Sequence, residues 1–229
     1  MIKYLYILKV GETFLLTKEK LKDFDTWILK FLKKTKTRIK IIDILSKDKL
    51  PNINSAKGFI ISGSHEMVTD ELPWSLLLEK YIKKISKTNI PLLGICYGHQ
   101  LIAKALGGKS GFNKKGKEIG IVKIKNLSFK NKDPLLKNFP KKFDAFETHY
   151  QTVIKLPAKA KILAKNSKDN TQAVRFESNI WGVQFHPEFD KEIMKEYILN
   201  QKETIKDLRS CDISNTVLKN FSDIVEKKV

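Results

Sequence analysis

The chain of 229 residues is short of cysteine and has no long apolar run. Two cysteines do not make a disulfide framework for a chain of this length, so a reducing, cytoplasmic location is expected. No window approaches the roughly 18 consecutive apolar residues of a membrane-spanning helix. The short apolar N-terminus lacks the features of a signal peptide. Apolar residues at 41% and charged residues at 30% also exclude collagen-like and disordered chains.

Arginine is scarce although the chain is strongly basic. Lys plus Arg is 44 and Asp plus Glu is 25, a net charge of +19, but only three of the cations are arginine. Nucleic-acid sites favour bidentate arginine and basic residues interleaved with aromatic ones, and neither feature is present. The lysine excess lies in residues 1–50 and 104–142. We therefore expect mostly solvated lysines, no membrane or nucleic-acid partner, and one candidate loop for an acidic protein partner, with its lysines at Lys109, Lys114, Lys115 and Lys117.

Apolar runs that alternate with helical patterns predict an α/β fold. Four runs are typical of buried strands in a mostly parallel sheet: 2–8, 39–45, 57–61 and 90–95. Helical spacing occupies 19–34, 74–87 and 98–106. The second half contains shorter strand-like runs: 119–124, 143–147, 151–155, 161–164, 172–176 and 180–185. Helices follow at 190–208 and 214–227. The sequence predicts one domain over 1–229, with C-terminal helices of about 190–228 packed on it.

The segment 92–100 places a cysteine between a strand and a helix. It reads Leu-Leu-Gly-Ile-Cys-Tyr-Gly-His-Gln, so Gly94 and Gly98 flank Cys96 in the pattern of a nucleophile elbow. A tight strand-to-helix turn exposes the thiol above the carboxyl edge of the sheet, and the helix N-terminus favours the thiolate. A lone cysteine is more often a small buried residue, but this setting favours a nucleophile.

A second motif supplies a base and an orienting acid. Residues 181–188 read Trp-Gly-Val-Gln-Phe-His-Pro-Glu. If the chain stays extended, a spacing of two puts His186 and Glu188 on one face, and Pro187 favours that geometry. The motif alone is also consistent with a capped turn before a helix. Together with Cys96 it predicts a catalytic triad of nucleophile, base and orienter.

These two segments resemble class I glutamine amidotransferases of the triad type. The resemblance is clearest over residues 40–190, and the strings around residues 147–153 and 181–190 look most similar to the amidotransferase part of guanylate (GMP) synthase. It implies a three-layer α/β/α sandwich with a mixed, mostly parallel, flavodoxin-like central sheet. It also implies that Cys96 attacks the side-chain amide of glutamine, releases ammonia and forms a γ-glutamyl thioester.

The resemblance also implies roles for other positions. The backbone N–H groups of Gly63 and Tyr97 are the expected oxyanion hole, although Ser64 stands where the family usually has proline. Substrate contacts are expected from Gln100, Thr148, His149 and Tyr150, the last three largely through backbone. Without the resemblance, the segment at Gly63 would be interpreted as an ordinary βα turn and Gln100 as a helix surface residue. Thr148, His149 and Tyr150 would be interpreted as part of a strand edge. Glu118 belongs to a Glu-x-Gly pattern that is expected to be structural.

Three functions remain open at this stage. The first is a glutaminase or amidotransferase subunit that passes ammonia to an acceptor enzyme, because only 41 residues follow Glu188 and we expect no synthetase domain in them. The second is a stand-alone γ-glutamyl hydrolase or peptidase. The third is a non-catalytic binding module. No cofactor and no metal are expected, since His65 and His99 have no partners at metal-ligand spacing.

Overall fold

The computed structural model describes residues 2–32, 36–46, 48–130, 132–205 and 207–227. A mixed sheet of nine strands forms its centre, in the order β2-β1-β3-β4-β11-β10-β9-β6-β7. Two further strands, β5 and β8, pair with each other. The strands are β1 Tyr4–Lys9, β2 Arg38–Asp43, β3 Ala56–Ile61, β4 Leu92–Ile95, β5 Lys109–Phe112, β6 Glu118–Asn126, β7 Lys142–His149, β8 Gln151–Lys155, β9 Lys161–Lys165, β10 Ala173–Glu177 and β11 Ile180–Val183.

Five neighbouring strands, β2, β1, β3, β4 and β11, run parallel. The other four continue the sheet antiparallel. In β4 and β11, Ile95 is in register with Val183. The carboxyl ends of these two strands therefore lie side by side, which brings the cysteine segment and the histidine segment to the same edge of the sheet.

Helices cover both faces of the sheet. They are α1 Leu15–Leu21, α2 Phe24–Phe31, α3 Pro73–Ile85, α4 Tyr97–Ala105, α5 Lys191–Asn200 and α6 Asp212–Lys227. Along β1, Leu5 and Ile7 pack in a core with α2 and α6, whereas Tyr6 and Leu8 pack in a core with α3 and α4. This alternation of a strand buried on both faces confirms the α/β class and the mixed, mostly parallel central sheet.

Two predicted helices differ from the structure. The helix expected over 19–34 is two helices, because Lys22 has a φ of 71° and Asp23 starts a new helix by accepting a hydrogen bond from the N–H of Phe24. Its predicted residues 33 and 34 lie outside the described part of the chain. The helix expected over 190–208 ends at Asn200, whereas the second C-terminal helix, expected over 214–227, is observed over Asp212–Lys227. The strand Lys109–Phe112 was not predicted.

Among the residues that the structure describes, no helix has the length and apolar character required to span a bilayer.

Candidate active site

Cys96 occupies the turn between strand β4 and helix α4. Its backbone has φ 49° and ψ −100°, a positive φ that is strained for a residue with a side chain. Two hydrogen bonds hold this conformation: Cys96 N donates to Val183 O at 2.8 Å, and Gln100 N donates to Cys96 O at 3.1 Å. The neighbouring strand and the first turn of the helix therefore fix the cysteine at the sheet edge, as the elbow motif predicts.

The glycines on either side of Cys96 are required by close backbone approach. A Cβ at Gly94 would lie 2.4 Å from the carbonyl carbon of Gly98, and a Cβ at Gly98 would lie 2.6 Å from the carbonyl oxygen of Ile61. Both distances are below van der Waals contact. The helix can therefore start directly above its own strand only because neither position carries a side chain.

His186 is fixed by contacts on two sides. Its Nδ1 lies 2.8 Å from Oε1 of Glu188, and the ring of Phe189 stacks on it at 4.2 Å between centroids. Its Nε2 is buried. With Nδ1 bound to the carboxylate, Nε2 is the nitrogen available for proton transfer.

The charge balance around His186 favours its protonated form. Burial alone would lower the pKa of His186, but the charges of Glu188 and Cys96 and their hydrogen bonds raise this pKa well above its usual value. An imidazolium next to a thiol stabilises the thiolate. Glu188 thus stabilises a positive His186 ring beside the Cys96 thiol.

Glu188 reaches His186 by a different route from the predicted one. Strand β11 ends at Val183, and Pro187 and Glu188 lie in a turn rather than in extended chain. Phe189 N donates to His186 O at 3.4 Å across this turn. The prediction of an extended segment with both side chains on one face was wrong, and the turn brings the carboxylate back to the ring.

The expected oxyanion loop lies beside the base. A Cβ at Gly63 would lie 3.2 Å from Cε1 of His186, so this loop and the ring are in contact. Ser62 holds the loop: its Oγ accepts from Val10 N at 3.0 Å and donates to Gly63 O at 3.0 Å. Tyr97 is the first residue of α4, where helix N–H groups have no intrahelical acceptor. The positions of Gly63 and Tyr97 are compatible with the two donors, which stay a prediction.

A cavity of about 280 Å³ is lined by Cys96 and His186. On one side it has an aromatic wall, which we define as Phe14, Phe24, His65 and Tyr197. Phe14 lies 4.4 Å from His65 between ring centroids, and Nε2 of His65 lies 3.2 Å from the hydroxyl of Tyr197. Burial and then the charge of His186 lower the pKa of His65, so the wall favours a neutral ring.

The predicted substrate contacts line the cavity as well. The carbonyl oxygen of Thr148 lies 4.0 Å from Sγ of Cys96, and Tyr150 is 46% exposed. Gln100 is buried, and its Nε2 donates to Gln151 O at 2.7 Å and to Gln184 Oε1 at 3.0 Å. The Nε2 of Gln100 is therefore occupied by the protein, and its burial is unlike that of a helix surface residue, whereas its contact with substrate stays a prediction.

The ring of His149 binds carboxylates in the interior. Its Nε2 lies 3.3 Å from oxygens of both Glu118 and Glu147, and its Nδ1 lies 2.9 Å from Gln151 O. Burial opposes a charge on the ring, but Glu147 and Glu118 raise the pKa of His149 to about 9. Burial raises the pKa of Glu147 to about 8. His149 therefore acts on the cavity through the backbone that it holds.

These two shifts predict that stability falls as pH rises. The unfolded chain loses the Glu147 proton near its ordinary pKa of 4.5 and the His149 proton near 6.5, whereas the folded chain keeps both until about pH 8 and 9. The folded state binds more protons in this window, so the free energy of unfolding decreases with pH. Urea unfolding at pH 6 and pH 9.5 measures the decrease, and Glu147→Gln should make it smaller. An equal decrease in the variant would contradict this assignment.

Glu118, His149 and Asp169 also present ligand-type atoms within 4.8 Å of one another. Asp169 accepts from the N–H and hydroxyl of Thr171 at 2.6 and 2.7 Å, and Glu118 accepts from Asn166 at 2.8 Å. Both carboxylates thus have donors from the protein, which fits a hydrogen-bonded support for the cavity backbone. That the site needs no metal stays a prediction.

The other two predicted features are placed as follows. His99 is fully buried against Gly182 and Phe176, and burial lowers its pKa to about 4. In the candidate docking loop, Lys115 donates to Ser167 O at 2.6 Å and Lys117 pairs with Glu203 at 3.0 Å. Two of its four lysines therefore have partners within the chain.

Comparisons with known proteins identify the family of the chain. The family model for glutamine amidotransferase class-I matches residues 19–205. The chain belongs to the class I glutamine amidotransferase family. It is 33% identical over 149 residues to γ-glutamyl peptidase 4 of Arabidopsis thaliana, covering 64% of this chain and 59% of that protein. It is 40% identical over 133 residues to one subunit of the glutamine-hydrolyzing GMP synthase of Pyrococcus furiosus, covering 58% and 66%.

The chain thus spans about three fifths to two thirds of the length of these two relatives. A crystal structure of a glutamine amidotransferase from Thermotoga maritima superposes with a TM-score of 0.71 at 21% identity, covering 98% of this chain and 94% of that one. At this identity the superposition shows the fold. It agrees with the flavodoxin-like α/β architecture expected for a class I amidotransferase, and family membership supports amidotransferase or hydrolase activity.

Several residues at this amidotransferase site were not predicted. Phe14, Phe24 and Tyr197 come from segments distant in sequence, and no pattern in the chain links them. Gln184 was within the quoted motif but was given no role, although its Nε2 lies 3.5 Å from Sγ of Cys96. It stands two residues before His186, and this spacing at the end of a strand is a signal that could have identified it.

Proposed function

We propose that this amidotransferase chain cleaves γ-glutamyl amides by cysteine catalysis, with Cys96, His186 and Glu188 as the triad. The observation that carries the proposal is the buried His186 ring, which is held by Glu188 at 2.8 Å and lines one cavity with the elbow cysteine. Nucleophile, base and orienter in this relation are what thiol acyl transfer requires. No cofactor takes part in these steps.

The steps follow from the protonation states. The Cys96 thiolate attacks the γ-carbonyl carbon, and the developing oxyanion is stabilised by the N–H groups of Gly63 and Tyr97. The C–N bond breaks as the His186 imidazolium transfers its proton to the departing nitrogen, which leaves a γ-glutamyl thioester. His186, now neutral, takes a proton from water, and the resulting hydroxide attacks the thioester and releases glutamate.

The first candidate substrate is glutamine, with ammonia passed to an acceptor enzyme. Similarity to a protein named as one subunit of a GMP synthase supports a partner synthetase, because that name implies at least one further subunit. The cytoplasmic location, the single domain and the docking of an acidic partner at the lysine-rich loop remain predictions within this proposal.

The second candidate is a stand-alone γ-glutamyl peptidase, and the aromatic wall favours it. Phe24 and His65 lie near Gly63 and His186, on the side where a leaving group accepts its proton. Ammonia needs no apolar surface of this size, whereas a larger amine would bury its side chain there. Similarity to γ-glutamyl peptidase 4 supports the same candidate.

A substrate comparison tests both candidates. The purified chain is given glutamine, γ-Glu-Ala or γ-Glu-Phe, and glutamate and the released amine are measured. We expect Cys96-dependent turnover of at least one substrate. Faster turnover of γ-Glu-Phe than of glutamine supports the peptidase, and Phe14→Ala should then reduce the difference. Turnover of glutamine that rises when a synthetase is added supports the ammonia donor.

The third function, a non-catalytic binding module, predicts a different result. No glutamate from any substrate, with and without candidate partners, would overturn the proposed chemistry. Salt-dependent binding of DNA or RNA in the same preparation would then favour the binding module.

A further inference from the structure

Gln184 contacts the sulfur of Cys96 directly. It is the residue that follows strand β11, it is fully buried, and its Nε2 lies 3.5 Å from Sγ. Its backbone N donates to Gln172 O at 2.9 Å, so the position of its main chain is fixed. We propose that Gln184 is a further catalytic residue of this site, which donates an N–H to the Cys96 thiolate and stabilises it before substrate binds.

The orientation of the Gln184 amide is determined by a chain of hydrogen bonds. The carbonyl oxygen of Gln151 can only accept, so the group of Gln100 that faces it at 2.7 Å must be the NH₂. The same nitrogen of Gln100 donates to Oε1 of Gln184 at 3.0 Å. The oxygen of Gln184 is therefore turned away from the sulfur, and its NH₂ faces Cys96.

This series of hydrogen bonds begins at the ring of His149. The two ring nitrogens of His149 face oxygen atoms, the Gln151 carbonyl on one side and the side chains of Glu118 and Glu147 on the other. A doubly protonated ring satisfies both sides, and its Nδ1–H fixes the Gln151 carbonyl that orients Gln100. His149 and Gln100 are thus positioning residues for the Gln184 amide, and the charge of His149 also interacts with Cys96.

The N–H of Gln184 affects the electrostatic environment of the Cys96 sulfur. The carbonyl oxygen of Thr148 also lies near the sulfur, at 4.0 Å, and its partial negative charge opposes a thiolate. An N–H at 3.5 Å opposes that effect and is available only because the Gln184 amide cannot rotate. Hydrogen bonds to charged groups are stronger than those between neutral groups, so the donor stabilises the thiolate relative to the thiol.

Alkylation of Cys96 measures this effect without substrate. The rate of iodoacetamide modification of the full chain is followed against pH, with the Cys96 peptide quantified by mass spectrometry. In Gln184→Leu we expect the pH midpoint of modification to move upward by about one unit. Gln184→Glu should move it further, because a carboxylate opposes the thiolate. Gln100→Leu should give a smaller upward shift, because the Gln184 amide is then free to rotate.

Asn126→Leu is the matched control. Asn126 is also a buried side-chain amide, but it lies at the end of β6 opposite to Glu118, and its Nδ2 donates to the carbonyl oxygens of Phe139 and Pro140, so the alkylation midpoint should not move. Thermal unfolding establishes that each variant is folded. Gln184→Met replaces the leucine variant if that one does not fold, and if neither folds Gln100→Leu decides.

The proposal rests on Cys96 as the nucleophile, and its failure can be told apart from that of the proposed function. A folded Gln184→Leu with an unchanged midpoint overturns the role of Gln184, whatever the substrate comparison shows. An upward shift in a chain that cleaves no γ-glutamyl amide would overturn the proposed function and leave the hydrogen bond established.

Discussion

Cys96→Ala is expected to abolish γ-glutamyl cleavage, with a loss in kcat of about 10⁴-fold or more. Alanine removes the sulfur that forms the thioester, and water held beside His186 would have to attack the amide directly. The variant should still fold, because a small side chain replaces another small side chain at the elbow. Glutamate release under saturating substrate measures the loss, and thermal unfolding measures the fold.

Cys211→Ala is the matched control for this result. Cys211 is the other cysteine of the chain, it is buried in a core with Phe146 and Tyr197, and burial raises the pKa of its thiol to about 12. Its replacement should cost stability through lost packing and leave the cleavage rate close to wild type. Full activity in Cys96→Ala, or equal losses in the two variants, would contradict the assigned nucleophile.

Gly94→Ala is expected to have the largest effect on the fold near the site. The added Cβ would lie 2.4 to 2.6 Å from three backbone atoms of Gly98 and His99, and backbone cannot yield as a flexible side chain can. The helix would have to move away from its strand, at a cost of about 3 kcal/mol or more, and Cys96 would move with it. We expect a lower free energy of unfolding in urea and loss of cleavage in the fraction that remains folded.

Gly111→Ala provides the comparison. The nearest atom to its added Cβ is the end of the flexible Ile154 side chain, at 3.2 Å, so the site should be unchanged and stability only slightly reduced. If Gly94→Ala were as stable and as active as Gly111→Ala, the close approach at the elbow would not be a requirement of this fold.

The parts of the fold that follow apolar periodicity were predictable. The buried strands at residues 4–9 and 92–95 and the helix over 73–85 agree with the expected runs within a few residues. The break between α1 and α2 was not predictable from this periodicity. It depends on Asp23, whose Oδ1 accepts hydrogen bonds from both Thr13 N and Phe24 N. A helical apolar pattern continues across such a break, and only the tertiary contact with Thr13 identifies it.

The residues of the candidate active site also fall into a predictable and an unpredictable group. Cys96, His186 and Glu188 were found because each sits in a short motif with its own physical reason. The hydrogen bonds of Gln184 and Gln100 and the packing of the aromatic wall could not be predicted, since they depend on which atoms face one another in the folded chain. The turn at Pro187 likewise follows from three-dimensional packing, in which Phe189 must reach the His186 ring.

The outer strand β2 carries some of the surplus positive charge of this chain. Among the described strands it pairs only with β1, and exposed Arg38 and Lys40 lie along it together with partly exposed Ile41. An open strand edge invites a second copy of the chain to add its own strand, and like charges placed there oppose such pairing. The positive charge of Arg38 and Lys40 is thus expected to disfavour such pairing at the outer edge of the parallel strands.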